Sequence, residues 1–195
     1  MKVKFQNKIY RQGDLVNNIL KMYNDQSVLH SGYNWYTEAH KLAETWAKEH
    51  KVSTMVMAGV IASLSPNTSW DENKKLVQDF MHTGTCGHTG VMIGKAVGCM
   101  FATSDQEILS ILNGEKIKSF FLNILYPEVR TTVTIDRHAV AVALGRVPSG
   151  KHITVKQYAF FVGAYQRAAD VLDLMPHQLQ AVTWVKWRLF KKEMV

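Results

Sequence analysis

Residues 112–139, LNGEKIKSFFLNILYPEVRTTVTIDRHA, constrain the fold more than any other stretch of the chain. Asn113-Gly114 reads as a short turn. After it, Ile117, Phe120, Phe121, Ile124 and Leu125 are spaced for one buried face of a helix. Pro127 ends that helix. A β-branched run follows, Thr131 to Ile135, and Asp136 stands where a second helix should begin. Ala139, Val140, Ala143 and Leu144 carry that helix to Gly145. A turn, a helix bearing Lys118, a short connector and an aspartate at a helix N-terminus together make one compact unit.

The flanks are helical in pattern. Residues 1–10 alternate Val3, Phe5 and Ile9 with Lys2, Lys4 and Lys8, which predicts a short strand or an extended arm. Asp14 is the expected cap of a first helix through Leu15, Ile19 and Tyr23, and Ser31-Gly32 breaks the pattern. A helix is predicted from about Trp35 to His50, with Ala39, Leu42, Ala43 and Trp46 on one face. Ser53 caps the next, about 54–64, rich enough in Met, Val, Ile and Ala to be a buried central helix. Pro66 marks a turn, and Thr68 or Ser69 caps a helix to about Met81, with Glu72 completing a capping box on Ser69. Residues 82–90, HTGTCGHTG, read as a loop. Helices follow over about 90–101, from Ser104 through Ile108 to Leu112, from Thr154 over about 155–169, and from Pro176 to a basic end. RVPSGKH is a loop between them. Strand signal is scarce, so the expected class is all-α. Across 195 residues a single domain of two lobes is expected, without repeats or low-complexity linkers.

The charge of +7 and pI near 9.4, with basic clusters at Lys2, Lys4 and Lys8 and at Lys186, Arg188, Lys191 and Lys192, favour an acidic partner, nucleic acid first. An apolar content of 47% supports a packed core. Cys86 and Cys99 cannot supply four thiolates, and their surroundings form no zinc pattern. His82 and His88 flank Cys86 in the Gly loop without ligand spacing, so no metal is expected. No secretory core or membrane-length apolar run is visible, which gives a cytoplasmic expectation, and the expected state is a monomer.

The central stretch resembles the helix-hairpin-helix DNA glycosylases of the endonuclease III type. Leu112-Asn113-Gly114 matches the opening of their hairpin motif, which spans about residues 108–125 here. Lys118-Ser119 falls where that family has its nucleophilic lysine and the following threonine. Ile135-Asp136-Arg137-His138 matches its aspartate segment, eighteen residues after Lys118, the family separation. Ser63 to Ser69 resembles the upstream segment that offers a wedge residue to DNA, here Asn67. The combination is also similar to that in uncharacterised phage proteins, which would place the chain in the host-cell cytoplasm. The resemblance covers about residues 55–145 and departs from the family where Lys116 replaces the second hairpin glycine and Asn113 the proline.

The resemblance implies a two-lobed helical bundle on double-stranded DNA, with no iron–sulfur cluster and a hairpin that a monovalent cation can support. It implies a flipped base, excised by Asp136 alone or with Lys118 as a Schiff-base nucleophile. A lysine amine must shed its proton to attack, which burial or a neighbouring cation promotes. Gly114, Lys116, Ser119, Asn67, Arg137 and His138 are the implied DNA contacts. Trp35, Tyr36 and Trp70 are candidates to line a base pocket by stacking. Each residue also has a plain reading: Asp136 as an N-cap, Lys118 as a solvated lysine, Asn67 as a turn residue, the aromatics as core. Two other functions share the same surface. One is a phage transferase that hypermodifies DNA bases, and the other is a DNA-binding module without catalysis.

Overall fold

The computed structural model describes residues 2–6, 8–24, 32–149 and 153–193, with no account of side chains beyond Leu189. Ser31 and the end of the RVPSGKH loop fall outside these residues. The described chain is mostly helical, with one small two-stranded sheet. It divides into two compact units: residues 1–36 with 128–195, and residues 37–127.

The first unit opens with strands β1 (Lys2–Phe5) and β2 (Lys8–Arg11), antiparallel with Val3 opposite Tyr10 and Phe5 opposite Lys8. The stretch expected as one strand or arm is therefore a hairpin, and Ile9, expected on its apolar side, is exposed. Its apolar side chains Val3, Phe5 and Tyr10 are buried, and the lysines between them are exposed. Helix α1 (Gln12–Tyr23) follows directly, and it starts before Asp14. Arg11 is the N-cap residue, and the Asp14 carboxylate reaches back one turn to accept the Arg11 amide at 3.2 Å. Helices α8 (Arg137–Leu144), α9 (Val155–Leu172) and α10 (Pro176–Glu193) complete this unit. α1 packs on α8, α9 and α10. The core joins Leu15, Ile19, Val140, Phe161, Ala164, Tyr165 and Leu179, with Phe5 edge-on to Phe161 at 5.8 Å. Asn18 donates to the Ala143 carbonyl at 2.9 Å, closing the C-terminal end of α8 against α1. A Cβ on Gly32 would run into the backbone of Val182, so only glycine lets this segment lie against α10.

Helix α2 (Trp35–Glu49) starts at the end of the first unit and continues in the second. The second unit then adds α3 (Thr54–Ser63), α4 (Trp70–Thr83), α5 (Gly90–Met100), α6 (Asp105–Ile111) and α7 (Glu115–Leu125). α3 is the central helix: every residue from Val56 to Ser63 is buried, and it packs on α4, α5, α6 and α7. A helix apolar all round is one surrounded by neighbours. The His40 ring donates to the Ile124 carbonyl at 2.9 Å and ties α2 to α7. Caps at Ser53, Ser104 and the Ser69–Glu72 box form as expected. α4 runs past Met81 to Thr83 and stops at Gly84, whose φ of 77° closes the helix in the left-handed region. α9 likewise continues past Ala169, to Leu172.

Candidate functional site

The β-branched run before Asp136 forms no strand: Thr131 lies in a turn and Thr132 to Ile135 carry no regular structure. Three of its backbone groups pair with side chains of α9 instead. The Tyr158 hydroxyl accepts the Ile135 amide at 3.1 Å and donates to the Val133 carbonyl at 3.2 Å. Gln166 donates to the Thr131 carbonyl at 3.1 Å. With Val133, Thr134 and Ile135 buried, this clamp fixes where the chain turns into α8.

Asp136 is the N-cap of α8. Its Oδ1 accepts the amides of His138 at 3.0 Å and Ala139 at 2.8 Å. Its Oδ2 has no hydrogen-bond partner among the described residues, and the side chain is half-buried. Tyr165 lies fully buried nearby, donating to the Ala139 carbonyl at 3.2 Å. Burial pushes the Tyr165 phenol up, a hydrogen bond with Thr183 opposes the rise, and the Asp136 charge adds to it. The phenol therefore remains a neutral donor beside the carboxylate.

An aromatic surface extends from Asp136 through His138. The His138 ring stands edge-on to Trp184 at 6.3 Å, and Trp184 lies 6.5 Å from Trp35. The Arg188 guanidinium, one turn after Trp184, covers that indole at 4.6 Å. His138, Trp35 and Trp184 are half-buried, while Arg137 and Arg188 are exposed. Tyr36 is different. It is 4% exposed, donates to Gln180 at 3.2 Å and stands edge-on to His177 and Trp35. Its ring belongs to the packing beneath the surface, not to an open stacking face.

The remaining expected residues belong to the second unit. There α6 and α7 are joined by Leu112, Asn113 and Gly114. Leu112 is buried, whereas Asn113, Gly114 and Lys116 are exposed. Gly114 has φ +82° and ψ 141°, a conformation for glycine, and a Cβ there would meet nothing. Its carbonyl accepts the Ile117 and Lys118 amides, each at 3.2 Å, to start α7. Lys118 and Ser119 are half-buried on the first turns of that helix. The start of α6 is clamped by Glu107, whose carboxylate accepts the Thr103 amide at 2.6 Å and hydroxyl at 3.1 Å. These bonds hold the Glu107 carboxyl below its ordinary range.

Asn67 is exposed with φ 62°, the left-handed region that Asn tolerates. His88 fixes that turn: Nε2 donates to the Pro66 carbonyl at 3.1 Å, and Nδ1 accepts the Thr89 amide at 2.7 Å. Trp70 opens α4 with the Lys74 ammonium 5.9 Å from its ring. So Asp136, Arg137, His138, Trp35 and Tyr36 gather in the first unit, and Lys118, Gly114, Lys116, Ser119, Asn67 and Trp70 in the second.

The chain belongs to DUF7178, a family of unknown function. The family model matches residues 1–191. No curated protein and no solved structure matches the chain.

Sequence reasoning missed the pairing of Trp184 with Arg188, which it counted only in the basic end, and missed Tyr158 and Tyr165. Arg188 four residues after Trp184 on a helix was the available signal for the first pair. It also counted Lys186 as a surface charge. Lys186 is 3% exposed and donates to the Tyr23 carbonyl at 2.6 Å. The side chains of Lys191 and Lys192 lie outside the described residues. A basic groove of about 450 Å³ is present where Lys2, Arg11 and Arg167 surround the N-terminal end of α1.

Proposed function

We propose that the protein is a DNA glycosylase that flips a damaged or modified base out of duplex DNA and cleaves its N-glycosidic bond. The observation that carries this reading is the held carboxylate of Asp136 beside a half-buried aromatic surface. Cleavage of that bond builds positive charge on the sugar as the base departs. An oriented carboxylate stabilises this charge and takes a proton from the attacking water, and the base leaves with the bonding electron pair. His138, Trp184 and Trp35 offer ring faces and edges of the kind on which an extruded base stacks. Glycine at the exposed turn before α7 permits close approach of a phosphate to backbone amides, and the basic groove at α1 suits further backbone contacts. Lys118 is the nucleophile in the lyase form of this reaction, attacking the anomeric carbon and releasing the base to leave an imine.

The test is base release. The protein is incubated with duplexes carrying a panel of damaged and phage-type modified bases, and free bases are read by mass spectrometry. Release of a base, lost in Asp136→Asn, is the expected result. Duplex binding without release across the panel would point to the DNA-binding module, and addition of mass to a base in the presence of an amine donor to the transferase.

A further inference from the structure

We propose that Glu49, His50 and His82 form a binding site for a divalent transition-metal ion of the zinc type. One ring nitrogen of each histidine and one carboxylate oxygen of Glu49 lie within 4.8 Å of one another. The rings of His50 and His82 stand edge to face with centroids 5.0 Å apart. All three residues belong to the second unit, so the cluster is built inside one compact body.

Three features of this cluster point to a cation. First, Nε2 of His50 is shut away from solvent without a hydrogen-bond partner among the described residues. A buried polar nitrogen with nothing to bond is costly, and metal coordination is one way to satisfy it. Second, Nδ1 of His82 is engaged by the Gln78 carbonyl at 2.7 Å, so that nitrogen carries the proton. This leaves the lone pair on Nε2, and a backbone carbonyl behind a histidine is the usual support of a metal-ligating ring. Third, Glu49 ends α2 and His82 lies in the last turn of α4, so the negative ends of two helix dipoles meet here.

Two imidazoles and one carboxylate are the donor set of an open zinc-type centre, with water completing the coordination. Ligand atoms around tetrahedral zinc stand about 3.3 Å apart at ordinary metal–ligand distances. Glu49 and His82 are exposed, and binding requires the donors, now within 4.8 Å of one another, to close to that spacing. A bound ion would clip the end of α2 to the end of α4.

The experiment is a titration of the full chain with Zn2+ and with Co2+, whose absorption reports a nitrogen–oxygen tetrahedral site. Uptake of one equivalent and a rise in Tm with Zn2+ are expected for the wild type. His82→Ala removes an exposed side chain, so circular dichroism should show an intact fold. This variant and Glu49→Gln should each bind at least tenfold more weakly and lose the rise in Tm. Equal uptake by the wild type and His82→Ala would mean that other histidines bind the metal and would overturn the proposal. Absence of uptake by the wild type would do the same, and an unaffected Glu49→Gln would remove the triad.

Discussion

Substitution of Asp136 separates capping from chemistry. Its Oδ1 accepts two amides, those of His138 and Ala139, and α8 is buried from Ala139 to Leu144. Alanine removes that acceptor. An N-cap aspartate replaced by alanine costs about 1 kcal/mol, and the lost charge at the positive end of the helix adds roughly 0.5 kcal/mol. For a chain of this length that corresponds to a Tm lower by about 3–6 °C. Asparagine retains the carbonyl oxygen and caps as well as aspartate, so Asp136→Asn should lose only the charge contribution, about 1–2 °C. Both variants should lose base release, by on the order of a hundredfold or more. Differential scanning calorimetry and base release on one identified substrate check the two halves independently. An Asp136→Ala variant as stable as wild type would refute the capping argument. Wild-type turnover in Asp136→Asn would refute the catalytic one.

Lys118→Arg keeps the charge but cannot supply a neutral amine. It should abolish borohydride trapping and strand cleavage with little change in DNA affinity, and trapping that persists would move the nucleophile to another amine. Gly114→Ala meets no atom, so its cost is backbone strain alone, about 1–3 kcal/mol. It should lower Tm and weaken duplex binding together, and an unchanged Tm would show that the turn does not need a positive φ. Glu107 has a lowered folded-state pKa, so its contribution is present above the ordinary glutamate value of about 4.3. That contribution disappears as pH falls through the folded value. Denaturation midpoints at pH 6 and about pH 3 should therefore differ more for wild type than for Glu107→Gln, and identical pH dependences would count against the clamp on Thr103.

Much of the helical order is legible because capping is local. Ser53, Ser69, Ser104 and Thr154 each accept the amide three residues ahead, so the pairing is written within one turn of sequence. Asp14 was misplaced for the same reason. A carboxylate near a helix start caps from N3 as readily as from the N-cap position, and here it reaches back to Arg11. The run Thr131 to Ile135 has strand propensity but no ladder, because its partner is a tyrosine hydroxyl more than twenty residues later. The aromatic surface is less legible still. Trp35 and Trp184 come from opposite ends of the chain, and nothing local to either announces the other. The cluster at His82 hides in the same way, since Glu49 and His50 reach it from the end of α2 and the turn after it.

Cap and catalyst are not rival descriptions of Asp136. A carboxylate on a free side chain samples many orientations, whereas a reacting group must be held in one. Two amides on Oδ1 remove most of that freedom and leave Oδ2 as the unbonded oxygen. The clamp of Tyr158 on Val133 and Ile135 fixes the backbone that carries the side chain. The neutral Tyr165 phenol adds a buried hydrogen bond to Ala139 on the same first turn of α8. This layering makes a prediction that neither description makes alone. Tyr158→Phe keeps the ring and removes only the hydroxyl, so it takes the acceptor from the Ile135 amide and leaves the Asp136 side chain itself unchanged. It should cost about 1–3 kcal/mol of stability and reduce base release beyond what its stability loss explains. A variant destabilised by that amount yet fully active would show that the reaction does not depend on how the connector is held.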